Sequence, residues 1–246
     1  MYEKQFQLRY FEMDKFGFAS PTTIITLLQE AAADHCLSIG HGLYELLDKN
    51  IGWILLSGFM QIERYPTYKE KITVKTWLSK FTSIKGTREN IIYDSSGNII
   101  GRAKGLWLFF DIEKRRPIRI FDDIVDRWGE FPEESIVCDV EKKMEAVGFA
   151  EFQKNFLVYR HDLDSNKHVN NLKYLQWLFE TIPDEIMDNY CLHSIEGRYV
   201  KEANYGDEVE SLAEKCSTDN AFNHTIKDKN NNWVCANGRT VWKRNQ

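Results

Sequence analysis

Asn155–Asp164 reads NFLVYRHDLD, and 150 residues earlier Gln5–Asp14 reads QFQLRYFEMD. At that offset Phe6 meets Phe156, Leu8 meets Val158, Met13 meets Leu163 and Asp14 meets Asp164. Both stretches alternate apolar and polar residues as a strand does, and both end in a polar turn. A helical pattern follows each. Ser20-Pro21 is a capping residue followed by a proline suited to the first helical position. Ile24, Leu27, Leu28, Ala31 and Ala32 then share one helix face. In the second copy Asn170 or Asn171 supplies the cap. Leu172, Leu175, Leu178, Phe179 and Ile182 form the stripe, and Pro183 ends or bends the helix.

Strand patterns come next in both copies. In the first they cover Ile72–Trp77, Thr87–Tyr93 and Ile99–Phe110, with a turn at 94–97. In the second they cover Glu208–Glu214, Phe222–Lys227 and Trp233–Trp242, with a turn at 229–232. At an offset of 135, Lys104 meets Arg239 and Trp107 meets Trp242. Each copy thus reads as strand, helix, then several antiparallel strands, an α+β unit in which a sheet wraps a helix. The matched Asp, helix entry and closing Trp point to duplication. The expected organisation is a first half over 1–128, a linker over 129–154 and a second half over 155–246.

The chain has 246 residues, 43% of them hydrophobic, enough for a substantial core. Its formal net charge of −5 disfavours a nucleic-acid partner. The five cysteines are widely spaced with no CxxC pair, which argues for reduced thiols over a disulfide framework or a Cys-based zinc site. No apolar run reaches the roughly 18 residues of a membrane span, and the N-terminus reads as neither a signal nor a transit segment. The expectation is a cytoplasmic protein, of bacterial source, with no metal, no cofactor and no membrane partner.

The copies differ where chemistry would sit. Asp14 is followed by Lys-Phe-Gly-Phe, and Asp164 by Ser-Asn-Lys-His, so Phe16 and Phe18 stand where the second copy has Asn166 and His168. In an extended segment Asp164, Asn166 and His168 point to one side, just before a helix whose free N–H groups can hold a developing oxyanion. His titrates near neutrality and can move protons. Asp, Asn and His before a helix are also ordinary capping and turn residues, and on the pattern alone both readings stand.

The stretch Asp162–Glu180, DLDSNKHVNNLKYLQWLFE, resembles the active-site stretch of the acyl-ACP thioesterases of plant plastids and bacteria, which act on acyl carrier protein (ACP). That family carries Asp-x-Asn-x-His, then Val-Asn-Asn and an aromatic-rich helix. The stretch Trp107–Pro117 resembles the end of the family's first half, so the likeness spans nearly the whole chain. The family also has a Glu-Cys pair on a later strand. Here Glu202 matches the carboxylate, while Ala203 stands where the plant enzymes often have Cys, which removes a cysteine nucleophile and favours attack by water.

The resemblance implies a double hotdog fold: two tandem hotdog units, each a long helix wrapped by a curved antiparallel sheet. It implies hydrolysis of fatty acyl-ACP thioesters, with Asp164, Asn166, His168 and Glu202 as the catalytic set and the backbone amides of Val169 and Asn170 as oxyanion donors. It implies that the first half takes the acyl chain, with Trp53, Ile54, Met60 and the helix from Pro21 as candidate lining. Plain core packing is the competing account of those residues. The basic cluster Lys114, Arg115, Arg116 and Arg119 is a candidate dock for an acidic carrier, though it also reads as a solvated strand end. His35, His41, His161, His193 and His224 lack metal-ligand spacing, Cys191 and Cys216 read as packed thiols, and Asp14 reads as a turn residue. Rival readings are an acyl- or aryl-CoA thioesterase of the same fold and a non-catalytic acyl-binding protein. Monomer and homodimer both fit.

Overall fold

Strand β1 (Tyr2–Gln7) and strand β7 (Phe152–Leu157) begin two compact units, Met1–Glu141 and Lys142–Gln246. The structure is a computed structural model that describes residues 1–164, 168–217 and 220–244. In the first unit β1 leads through a short 3-10 turn, Tyr10–Glu12, to helix α1 (Pro21–Ser38) and α2 (Leu43–Leu47). Strands β2 (Ile51–Ile62), β3 (Lys71–Phe81), β4 (Lys85–Asp94), β5 (Ile99–Asp111) and the two-residue β6 (Arg116–Pro117) follow, then helix α3 (Asp122–Trp128). The second unit repeats the plan. A 3-10 turn at Arg160–Asp162 leads to α4 (Asn171–Glu180) and α5 (Asp184–Asn189), then β8 (Tyr190–Tyr199), β9 (Glu208–Lys215), β10 (Ala221–Asp228) and β11 (Val234–Arg244).

Both sheets are antiparallel and share one topology. The first runs β1-β3-β4-β5-β2, with β6 paired to β5, and the second runs β7-β9-β10-β11-β8. The starts of β1, of the 3-10 turn and of the long helix all recur after 150 residues. The duplication read from the sequence is therefore carried by the chain order and by the pairing order alike.

The helix entries follow the capping chemistry. The Ser20 side chain accepts the Thr23 N–H at 3.1 Å and Pro21 opens α1. In the second unit Asn170 is the cap, accepting the Leu172 N–H at 2.9 Å. The apolar face of α1 is buried at Ile24, Leu27, Leu28 and Ala31, and that of α4 at Tyr174, Leu175, Trp177 and Leu178. Helix α4 stops at Glu180, before Ile182 and Pro183. There the Thr181 hydroxyl donates to the Trp177 and Leu178 carbonyls at 2.9 Å each.

All the expected strands form. Strands β2 and β8 have no counterpart in the sequence reading. The β2 run Ile51–Leu55 is apolar without alternation, which leaves helix and strand indistinguishable by period. Residues 129–151 hold no helix or strand, yet their backbone is tied down. Trp77 Nε1 donates to the Glu133 carbonyl and Phe131 N to the Leu78 carbonyl in the first unit. Val147 N donates to Thr225 Oγ1 in the second.

Candidate active site

The site is built on a turn that occurs twice. In the first unit the Asp14 N–H donates to the Phe18 carbonyl at 2.6 Å, and its carboxylate accepts the N–H groups of Phe16 and Phe18 at 2.9 and 3.0 Å. Met13 and Ala19 form a β-bridge beside it. In the second unit the Asp164 N–H donates to the His168 carbonyl at 2.8 Å, the Asp164 carboxylate accepts the His168 N–H at 3.2 Å, and Leu163 bridges Val169. Asp14 is thus the turn residue expected, and Asp164 does the same work for the backbone of His168.

The turn sets the imidazole beside a carboxylate. His168 Nδ1 lies 3.3 Å from Glu202 Oε1, with side chains 30% and 37% exposed. Both groups are partly exposed and so reachable by solvent and by a ligand. A neutral imidazole donating from Nδ1 to the carboxylate presents its Nε2 lone pair as an acceptor. The separation is long for a charge-assisted hydrogen bond, as catalytic pairs without substrate often are.

Glu202 lies three residues past the end of β8, not on a strand as the family pattern leads one to expect. Its position is fixed through its neighbours. Lys201 N donates to the Cys235 carbonyl at 3.2 Å. Ala203 N donates to the Tyr174 hydroxyl oxygen at 2.9 Å, and Asn204 N donates to Asp207 Oδ2 at 2.7 Å. Gly206, at φ 87°, lets the loop turn back so that its N–H reaches the Val158 carbonyl at 3.0 Å. Burial raises the Tyr174 hydroxyl well above the usual phenol range, keeping it neutral. Tyr174 packs edge-on against Tyr199, whose hydroxyl donates to the Asn171 carbonyl at 3.2 Å. These two tyrosines tie the first turn of α4 to the Glu202 loop. The sequence reading missed both. Tyr174 is not part of the expected apolar stripe of α4 but lies four residues before its Leu178, a spacing that fits its burial and says nothing of the partner of its hydroxyl.

Two other expected groups behave differently. The Asn170 N–H donates to the Asp162 carbonyl at 2.8 Å, so it is occupied and is not an oxyanion donor. It flanks the Leu163–Val169 bridge on one side as the Asp164 N–H does on the other, and that pattern turns the Val169 N–H outward. The Val169 N–H has no acceptor among the described residues. Asn166 lies outside the described residues. Asp162, buried, accepts the Tyr159 N–H at 2.8 Å and pairs with Lys173 at 3.0 Å, which closes the 3-10 turn onto α4. His161 is exposed and stacks on Tyr159.

Two of the four side chains of the basic cluster pair with carboxylates. Lys114 pairs with Asp111 at 3.1 Å and Arg119 with Asp122 at 2.7 Å. The Lys114 N–H and ammonium hold the Asp111 carboxyl below the usual range. Arg116 sits exposed in β6, and Arg115 takes a left-handed φ of 49°. Of the tunnel candidates, Trp53 packs against Phe109 and Trp128, with ring centroids 4.7 and 5.8 Å away, within a cluster that includes Cys36, Ile39 and Ile124. Met60 is buried. All five cysteines are free thiols, and burial pushes that of Cys235 up to about 11. Among the described residues no three His, Cys, Asp or Glu side chains are grouped so as to hold a metal ion. No described helix is long and apolar enough to cross a membrane.

An imidazole–carboxylate pair at the mouth of a helix, with an outward N–H beside it, suits addition of water to an acyl carbonyl. Comparison with known proteins bears on the reaction. Residues 1–128 match the family model described as the acyl-ACP thioesterase N-terminal domain, and residues 147–244 match its C-terminal domain. An oleoyl-acyl carrier protein thioesterase of Arabidopsis thaliana chloroplasts is 26% identical over 275 residues, covering 99% of this chain and 76% of the relative. The solved 12:0-ACP thioesterase of Umbellularia californica is 25% identical, with a TM-score of 0.87 and coverage of 99% and 97% of the two chains. A solved acyl-ACP thioesterase of Bacteroides thetaiotaomicron, 20% identical, has the same fold at a TM-score of 0.87, covering 98% of this chain and 97% of its own.

Proposed function

We propose a residue-level mechanism from the premise that this chain belongs to the acyl-ACP thioesterase family, has its double hotdog fold, and is a thioesterase that hydrolyses fatty acyl-ACP thioesters. Glu202 is the general base. It takes a proton from a water molecule whose oxygen attacks the thioester carbonyl carbon. The resulting oxyanion is held by the outward N–H of Val169 at the start of α4. Collapse of the tetrahedral adduct breaks the C–S bond, and the proton returns through His168 to the thiolate of the leaving phosphopantetheine. Free fatty acid and holo-ACP are the products.

Asp164 positions His168 by holding its backbone, and Asn166 orients the water or the substrate. The observation that carries this reading is the 3.3 Å approach of His168 Nδ1 to Glu202 Oε1. No cysteine is needed, since position 203 is alanine. The first unit takes the acyl chain. A cytoplasmic, bacterial setting is part of the proposal, and five free thiols fit such a reducing compartment. The dock for the acidic carrier includes Arg115 and Arg116. Charge reversal at both is expected to raise KM for carrier-linked substrate several-fold and leave kcat alone, and an unchanged KM moves the dock elsewhere.

The deciding assay is thiol release from carrier and CoA thioesters of several chain lengths, wild type beside His168→Ala. Fast cleavage of carrier substrates that is lost in the variant is the expected result. Preference for CoA thioesters transfers the protein to the rival thioesterase class, and binding without cleavage makes it an acyl-binding protein.

A further inference from the structure

The first unit buries two cations and treats them differently. Lys104, 6% exposed, lies 2.6 Å from Glu134 and 3.4 Å from Glu89, and Glu89 is held further by Ser79 and Ser135. Arg88, one residue before Glu89 on β4, points to the opposite face of the sheet and is 5% exposed. Its Nη1 donates to His35 Nδ1 and to Thr76 Oγ1, at 3.1 Å each. Both partners are neutral, for burial and the Arg88 charge push the His35 imidazole down to about 3. No described carboxylate pairs with Arg88, and its Nε and Nη2 have no acceptor among the described residues. The guanidinium lies 5.2 Å from the Trp128 ring. Such stacking offsets only part of what burying a charge costs.

A second donor sits on the same aromatic group. Trp53 stacks beside Trp128, and its indole Nε1 is buried without a partner. The Arg88 guanidinium, whose only acceptors are neutral, and the buried, unpartnered Trp53 indole N–H thus share one aromatic group, and a buried donor without an acceptor is unfavourable.

We propose that Arg88 and the Trp53 indole form a polar end-stop in the first unit that binds an oxygen acceptor at the far end of the acyl chain. The preferred substrates are then thioesters whose tails end in a hydroxyl or a carboxylate, in place of a plain methyl. This rests on the thioesterase reading above and adds the substrate class to it.

The test uses carrier thioesters matched in length with methyl, ω-hydroxyl and ω-carboxyl ends, on wild type, Arg88→Met and Trp53→Phe. Wild type is expected to favour an oxygenated end at least tenfold in kcat/KM. Arg88→Met should lose that preference while cleaving the methyl-ended chain as well as wild type. Its melting temperature should be equal or higher, because an uncompensated charge is gone. Trp53→Phe, which keeps the ring packing, should lose part of the preference and gives a second reading where Arg88→Met does not fold. Equal use of all three ends by wild type, or an unchanged preference in both variants, overturns the proposal. Calorimetric binding of free α,ω-dicarboxylic and monocarboxylic acids separates it from the catalytic reading. Should no thioester be cleaved, tighter dicarboxylate binding that Arg88→Met abolishes sustains the end-stop alone, and equal binding of both acids overturns it too.

Discussion

The Asp164 carboxylate accepts the backbone N–H of His168 at 3.2 Å, the same closure over four residues that Asp14 makes with Phe18 at 3.0 Å. The two turns are alike in backbone and differ in what they present. Asp164→Ala and Asp14→Ala should each cost about 1–2 kcal/mol for the side-chain-to-backbone bonds lost. Only Asp164→Ala should lower kcat, by tenfold or more, as His168 loses its anchor. Urea melts and thiol-release rates on both variants check this, and an equal loss of kcat in Asp14→Ala would contradict it.

Glu202→Gln keeps the shape of the side chain and removes its basicity. With a side chain 37% exposed, it should change stability by less than about 0.5 kcal/mol. Turnover should fall by a factor of about 10²–10⁴, the usual contribution of a positioned base. Single-turnover kinetics with an unchanged melting curve is the expected result. Near-normal turnover would remove Glu202 from its role.

Tyr174→Phe removes the acceptor of the Ala203 N–H and leaves that amide buried. The expected cost is about 1–3 kcal/mol of stability. Because the amide belongs to the residue after Glu202, kcat should fall as well, with KM little changed. Loss of stability with full activity would show that the loop holds Glu202 without the tyrosine.

His35 and His224 are both pushed from 6.5 down to about 3, His35 by burial and then by the Arg88 charge, His224 by burial alone. In the unfolded chain each takes up a proton as pH falls through about 6.5, while in the folded protein each stays neutral until about 3. Their share of stability is thus intact above about 6.5 and is lost progressively as pH falls towards 3. The slope is up to about 1.4 kcal/mol per pH unit for each imidazole. Urea melts at pH 7, 6 and 5 should show a shallower decline for His224→Gln than for wild type, and parallel curves would count against the buried neutral imidazole.

Much of the site was legible because it depends on local order. The pairing of Asp164 with His168 spans four residues, and the Asn170 cap spans two, so a turn and a helix start can be read from adjacent side chains. The substitution of Asn166 and His168 by phenylalanines in the first copy marks the half to examine. The amide of Asn170 was misjudged because its carbonyl partner, Asp162, is chosen by the backbone register of the turn and not by any side chain. The basic cluster carries less charge than its residues alone imply, since Asp111 and Asp122 pair with Lys114 and Arg119 across three residues each. Strands β2 and β8 were missed because neither alternates cleanly enough to declare its period.

By itself the sequence determined the duplication, the two helix entries and the turn that carries His168, because capping, Asx closure and hydrophobic period act over a few residues. The family resemblance named Glu202 beside that imidazole, but only the tertiary structure decided how closely the two meet, which tyrosine holds the Glu202 loop, and that Arg88 lies buried without an acid. Those relations join residues far apart in the chain, and they are set by sheet register and by which face of a strand each side chain takes, quantities that no short stretch of sequence contains.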